Sequence, residues 1–246
     1  MSKPMWVINQ KVDNPKLLEI YLYDDIEGDK ENWWTGEVKE SETSSKHVMK
    51  VLEEAGEVEQ INLYINSYGG SVKEGLGIFN QLKRKSCQKV AYIDGFACSI
   101  ASVIAMAADK VVMGTNSLMM IHHASMGAYG NAEELRKAAN DVEVIDKASC
   151  SSYLEKAGDK LDEAKLNELL DNQTWLNAQQ CLEYGLADEI AGSEDKSITE
   201  AKQRFELAIK QQLEEFKPNM KVPIEYNNQK SNAEKLMKIF KKKEVI

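Results

Sequence analysis

Apolar positions along this chain fall into two rhythms. Period-two or short apolar runs at residues 17–23, 60–66 (with Ile61, Leu63 and Ile65 alternating), 89–94, 110–114 and 118–122 predict strands. Helical spacing predicts helices between them: residues 40–55, with Val48, Val51 and Leu52 on one face and Gly56 as the stop, and a second helix from Ser71, with Val72, Leu76, Phe79 and Leu82 on one face. Residues 99–108 are small and apolar throughout, which predicts a buried helix. Strands and helices alternating in this way imply βαβ units and a largely parallel sheet, so the fold class is α/β.

Beyond residue 122 the pattern changes. A Gly-flanked segment, residues 126–130, leads into a long helix over 131–156 whose polar face is rich in Glu, Lys and Asp, a helix suited to projecting from a core. Shorter elements follow: a helix at 161–170, a strand at 174–176 and a helix at 178–184 that ends at Gly185, after which Asp188 and Glu189 lead out of the core. The expected organisation is an N-terminal arm (1–16), one main domain (17–192) and a C-terminal tail (193–246) with helices at 198–216 and 232–243. Within the arm, Trp6, Val7 and Ile8 read equally as a docking segment or an edge strand. Trp33 and Trp34 lie in a polar loop, as a cover for the core edge or as a contact surface.

Composition narrows the function. The chain has 246 residues and a net charge of -9, yet from Ser197 onward it carries 11 Lys and Arg against 7 Asp and Glu. An acidic body argues against a nucleic-acid-binding core, and the tail is only weakly basic. Cys87, Cys98, Cys150 and Cys181 are scattered, without a Cys-x-x-Cys pair and with three His for company, which reads as reduced thiols and no metal or other cofactor. The first ten residues lack an apolar signal core, and no window approaches 18 uninterrupted apolar residues, so a cytoplasmic protein without a membrane partner is expected.

The candidate chemistry centres on Ser99, at the junction of an apolar strand and a helix. Strand ends bind ligands in open α/β sheets, and helix N-termini favour developing negative charge. A serine there is either an N-cap or a nucleophile. His122 ends a parallel strand and so reaches the same sheet edge as Ser99, while His123 points the other way if the strand persists. Gly69-Gly70, after the strand at 60–66, can bring backbone N–H groups close to a substrate, or can simply turn the chain. A Gly-x-Ser-x-Gly elbow is absent, because Ser99 is flanked by Ala97 and Ala101.

Four motifs carry a resemblance: Asn66-Ser67-Tyr68-Gly69-Gly70-Ser71, Gly95-Phe96-Ala97-Cys98-Ser99-Ile100-Ala101, Met120-Ile121-His122 and Glu183-Tyr184-Gly185-Leu186-Ala187-Asp188. In order and spacing they resemble the proteolytic subunit of the Clp protease family, over residues 17–190, most closely its divergent phage and prophage branch. The resemblance implies a Clp/crotonase-like fold and a serine-type endopeptidase with Ser99 as nucleophile, His122 as general base, and Gly70 and Ile100 as oxyanion-hole donors. It also implies that the helix at 131–156 is a handle between rings, that stacked heptamers form a homo-oligomeric tetradecamer, and that peptides or unfolded proteins are the substrates. A prophage head-maturation protease would fit.

The chain departs from that family at several positions. Gln173 stands where the family has its triad Asp, which leaves Asp171, two residues earlier, as the candidate third member. Tyr68 replaces a Pro, and His123-Ala124 replaces Gln-Pro. The N-terminal arm differs from the family's ATPase-docking segment, leaving a AAA+ unfoldase partner open. A catalytically weak assembly module and a crotonase-like acyl-CoA enzyme are the alternative readings.

Overall fold

Strands whose residues are buried on both faces form the centre of the architecture. The computed structural model describes residues 8–10 and 16–192. Apart from residues 8–10 and 16, the arm lies outside them, as do the tail and both helices expected there. In chain order the elements are β1 (Ile8–Gln10), β2 (Leu17–Leu22), β3 (Lys30–Glu31), β4 (Val38–Lys39), α1 (Ser45–Glu54), β5 (Gln60–Ser67), α2 (Val72–Lys83), β6 (Gln88–Cys98) and α3 (Ile100–Ala105). They continue as β7 (Lys110–Gly114), β8 (Leu118–Met120), α4 (Ala132–Ala157), a 3-10 turn, α5 (Glu163–Asp171), β9 (Trp175–Asn177), α6 (Ala178–Glu183) and β10 (Glu189–Ala191).

The main sheet runs β1-β2-β5-β6-β7-β10, parallel except for the antiparallel edge strand β1. Leu18, Ile20 and Leu22 of β2, Ile61, Leu63 and Ile65 of β5, and Ala91 and Ile93 of β6 enter one hydrophobic core with Val48, Leu52, Ile78, Phe79 and Leu82 of the first two helices. Near-continuous burial along β5 is what a covered parallel sheet requires. Tyr21, Tyr64 and Tyr92 face each other in register across β2, β5 and β6, their rings stacked at 4.6 and 5.1 Å.

Strand β6 has two sets of partners. Val90 to Ile93 pair with β7, whereas Phe96 to Cys98 pair with β8, which in turn pairs antiparallel with β9. Between them the ladder to β5 is irregular: Ile65 pairs with Ile93, and Ser67 with Ala97. Asn66 fills the gap by accepting the Phe96 N–H at 3.1 Å, and a Cβ at Gly95 would lie 2.5 Å from that Asn66 oxygen. Gly95 therefore permits the bend.

Several boundaries differ from the sequence expectation. The strand expected to end at residue 94 continues through Gly95 to Cys98. The helix expected from residue 40 starts at Ser45, because the Ser44 hydroxyl caps it by accepting the His47 N–H at 3.1 Å. Residues 38–39 instead form a short hairpin with 30–31, and at its tip Trp33 and Trp34 are 86% and 79% exposed, covering no part of the core. Residues 189–191, expected to lead out of the core, return to pair parallel with β7. Beside β1, the edge-strand reading applies at Ile8, whereas Trp6 and Val7 lie outside the described residues.

Helix α3 is buried on every side, and the close approach of α2 depends on Gly75, where a Cβ would meet Ile100 Cγ1 at 2.1 Å. Gly75→Ala is expected to lower unfolding stability by about 1–3 kcal/mol through overpacking. Chemical denaturation midpoints at constant m-value measure this.

Candidate active site

The two halves of β6 place Ser99 where the strand leaves the sheet. Ser99 occupies the N-cap position of α3, yet its side chain makes no capping hydrogen bond, and its backbone sits at φ 53° and ψ −131°. A non-glycine residue there is strained, and strain of this kind persists only where the surroundings over-determine it. Here the Ser99 N–H donates to the Met120 carbonyl at 2.8 Å, and its own carbonyl accepts from the Ser102 N–H at 3.0 Å and the Ser102 hydroxyl at 2.6 Å. Ser102 in turn lies 2.7 Å from the hydroxyl of buried Tyr153, on α4. The neighbouring Cys98 thiol is pushed up to about 11 by burial, which keeps it neutral.

The glycine turn lies directly against this serine. A Cβ at Gly69 would sit 2.7 Å from Ser99 Cβ and 3.2 Å from the Ile100 nitrogen, and Gly69 has φ 101°. The turn is fixed from the other side by Ile26, whose N–H donates to the Gly69 carbonyl at 2.8 Å and whose carbonyl accepts from Ser71 N–H at 2.7 Å. That pattern is a parallel bridge from Ile26 to Gly70, which uses the groups flanking Gly70 and turns its own N–H away from Ile26. The Ile100 N–H is the first of α3 and has no helical acceptor.

His122 lies two residues beyond β8, not within it. Since Cys98 pairs with Met120 in parallel register, Ser99 and His122 leave adjacent strands at the same edge. The half-buried ring makes no hydrogen bond to Ser99 among the described residues; such contacts are often loose in unliganded sites. On the other side, Met120 pairs with Trp175 and the Ile121 N–H donates to the Thr174 carbonyl at 3.1 Å. Continuing that antiparallel register brings Gln173 opposite His122, with a φ of 47°.

Asp171 is not brought to His122. Its Oδ1 lies 3.1 Å from Nε2 of His123, whose Nδ1 is 2.6 Å from Asp146 Oδ2 on α4. The physical reason is the end of the strand: once β8 has stopped, His123 turns toward α4 and α5, which carry Asp146 and Asp171. Asp146 also accepts the Ala124 N–H at 2.6 Å through its other oxygen. Sequence reasoning missed Asp146, Tyr153 and the pairing of His123. The only available signal was that His123-Ala124 is unusual at its position.

A family model described as Clp protease matches residues 29–194. The ATP-dependent Clp protease proteolytic subunit of Bacteroides fragilis strain ATCC 25285 is 33% identical over 132 residues, 53% of this chain and 63% of that protein. The protein of the same name from Porphyromonas gingivalis W83 is 30% identical over 141 residues, 56% of this chain and 63% of that one. That of Bacteroides thetaiotaomicron VPI-5482 is 32% identical over 132 residues, covering 53% and 59%. The chain belongs to the Clp protease family, and its mostly parallel sheet with flanking helices is the Clp/crotonase-like fold. The matches span about three-fifths of the curated relatives' length.

The His123 cluster makes a pH prediction. Desolvation lowers the affinity of this imidazole for a proton, but the hydrogen bond and charge of Asp146, followed by those of Asp171, outweigh it and hold His123 above its ordinary value. A raised folded value means that the stabilisation is fully present below the unfolded value of about 6.5 and is lost as pH rises through the folded value. Melting temperatures of the native chain should therefore decline across that window relative to His123→Gln, which keeps a donor without the titration.

Proposed function

We propose that the chain is a serine-type endopeptidase in which Ser99 is the nucleophile, His122 the general base, and the N–H groups of Gly70 and Ile100 the oxyanion donors. The observation that carries this reading is Ser99 itself: a strained backbone and a hydroxyl that does not cap its helix suit a nucleophile and give no advantage to a structural serine. His122 takes the Oγ proton as Oγ attacks the peptide carbonyl, and the negative charge develops on the carbonyl oxygen against the two N–H groups. Collapse breaks the C–N bond, and the imidazolium protonates the leaving amine. Water then repeats the sequence on the acyl-enzyme and frees Ser99.

The third position departs from a triad. A glutamine opposite His122 can accept a hydrogen bond from an imidazole but cannot stabilise its cation as a carboxylate does. Asp171 enters through His123 instead. We read the site as a dyad of Ser99 and His122 with neutral support, slower than a full triad. A specific observation, Gln173, favours a second reading: a catalytically weak assembly module.

The wider biology belongs to the same proposal. Stacked heptamers joined through α4, whose N-terminal half is exposed, would enclose Ser99 in a chamber that admits peptides and unfolded chains. The relatives' printed name, the proteolytic subunit of an ATP-dependent protease, supports an ATP-using partner; a AAA+ unfoldase in that role and a cytoplasmic location rest on the sequence resemblance and composition. A prophage head-maturation role rests on the sequence resemblance alone. Among the described residues, no helix is long and apolar enough to cross a membrane.

A fluorophosphonate probe on the folded, assembled protein tests the chemistry, with the modified residue read by peptide mass spectrometry. Ser99 is expected to be labelled, Ser99→Ala to be inert, and His122→Ala to react about 10²–10⁴-fold more slowly. Gln173→Glu, which restores a carboxylate opposite His122, should react faster than the parent, whereas Asp171→Asn should change the rate little. Absence of label on Ser99 in the native assembly would sink the endopeptidase reading.

A further inference from the structure

The chemistry proposed above requires two side chains on separate segments to be held in one geometry, and a single helix bonds residues next to each of them: Ser102, which bonds the Ser99 carbonyl, and His123 and Ala124, which follow His122. Residues 121–129 form neither helix nor strand, so His122 has no ladder of its own. Its backbone is held at one side by the bond from Ile121 N–H to Thr174. On the other side, Asp146 accepts the Ala124 N–H through Oδ1 and meets the His123 ring through Oδ2, both at 2.6 Å. The Asp146 side chain is only 15% exposed. One carboxylate thus grips the two residues that follow His122.

Two helical turns along the same face of α4 lies Tyr153, 2% exposed. Because the Ser102 hydroxyl donates to the Ser99 carbonyl, Tyr153 must donate to Ser102, and its hydroxyl fixes the rotor that holds Ser99 in its strained conformation. Between these residues, Cys150 Sγ lies 3.7 Å from Asp146 Oδ2 and closes the face.

We propose that Asp146 and Tyr153 are positioning residues: α4 sets the geometry between Ser99 and His122 from two points, Tyr153 through Ser102 and Asp146 through Ala124 and His123. This inference rests on the roles assigned to Ser99 and His122 above. The groups facing His123 are Asp146, Cys150, Glu143 and Lys147 of α4 and Asp171 and Glu163 of α5. Among them, Asp146 alone contacts both the ring and the following backbone.

The test compares Asp146→Ala, Asp146→Asn and Tyr153→Phe with the parent by the rate of fluorophosphonate labelling, by the His122 imidazole resonances in NMR, and by hydrogen exchange at Ala124. Asp146→Ala should lower the labelling rate by about tenfold or more, shift the His122 resonances and speed Ala124 exchange. Asp146→Asn keeps one oxygen to accept the Ala124 N–H and presents its NH2 to His123 Nδ1, which accepts while Nε2–H donates to Asp171, so it should recover most of the rate, although its melting temperature falls with the lost charge. Tyr153→Phe removes one hydroxyl and should slow labelling without moving Ala124 exchange.

Unchanged His122 resonances and labelling in Asp146→Ala and Tyr153→Phe would overturn the proposal, as would a loss of rate that only follows the melting temperature and is not recovered by Asn. If Asp146→Ala does not fold, Asp146→Asn and Tyr153→Phe carry the comparison. Should the parent itself fail to label, the endopeptidase reading falls. The clamp then stands or falls on the His122 resonances and Ala124 exchange, where parent-like values in Asp146→Ala refute it.

Discussion

The bend in β6 is the constraint on which the rest of the structure depends. Its first half belongs to a buried parallel sheet and its second half to β8, and the change of partner is made by Gly95 and the Asn66 side chain. Without the bend, Ala97 and Cys98 would continue along β7 and Ser99 would emerge beside a strand that carries no histidine. With it, Ser99 and His122 leave neighbouring strands, and the turn at Gly69-Gly70 closes against the serine from β5. A single register between β6 and β8 therefore couples three motifs that are far apart in sequence.

Much of this was legible in the sequence. Ile61, Leu63 and Ile65 announce a strand, Ser71 caps the next helix, and the Asn131 cap starts α4 where its pattern predicts. The candidate site residues Ser99, Gly70 and Ile100 lie in motifs whose spacing reflects the strand order. What was not legible depends on contacts between distant segments. Gly95 punctuates β6 in sequence while permitting its continuation in space, because only the approach of Asn66 reveals why it is there. The extension to Cys98 could not be read from periodicity. Asp171 stands close to Gln173 in sequence, yet the end of β8 turns His123, not His122, toward its carboxylate.

The chemistry of the third position follows from the same geometry. Gln173 is held at positive φ beside Thr174, whose hydroxyl and N–H both bond the Leu169 carbonyl, so the turn is stapled to α5 whatever side chain it carries. The turn that carries Gln173 is thus fixed by backbone and Thr174 contacts that do not involve the Gln173 side chain. The carboxylates that are present, Asp146 and Asp171, bond the neighbouring imidazole of His123 and tie its loop to α4 and α5.

Helix α4 has an unequal stability along its length. Its first turn is closed by a capping box between Asn131 and Glu134, and Lys137 pairs with Asp141, while the residues buried against the body, Ser149, Ser152, Tyr153 and Ala157, all lie in the final third. The outer half is held by short-range bonds alone, and isolated helical segments of that length are marginal in water. In a single copy of the chain that half has, among the described residues, no buried contact with the core to lose on opening, whereas the residues near Ser102 do. One continuous helix thus joins an outer half that depends on local bonds, or on a neighbouring copy, to an inner third that shares the stability of the core.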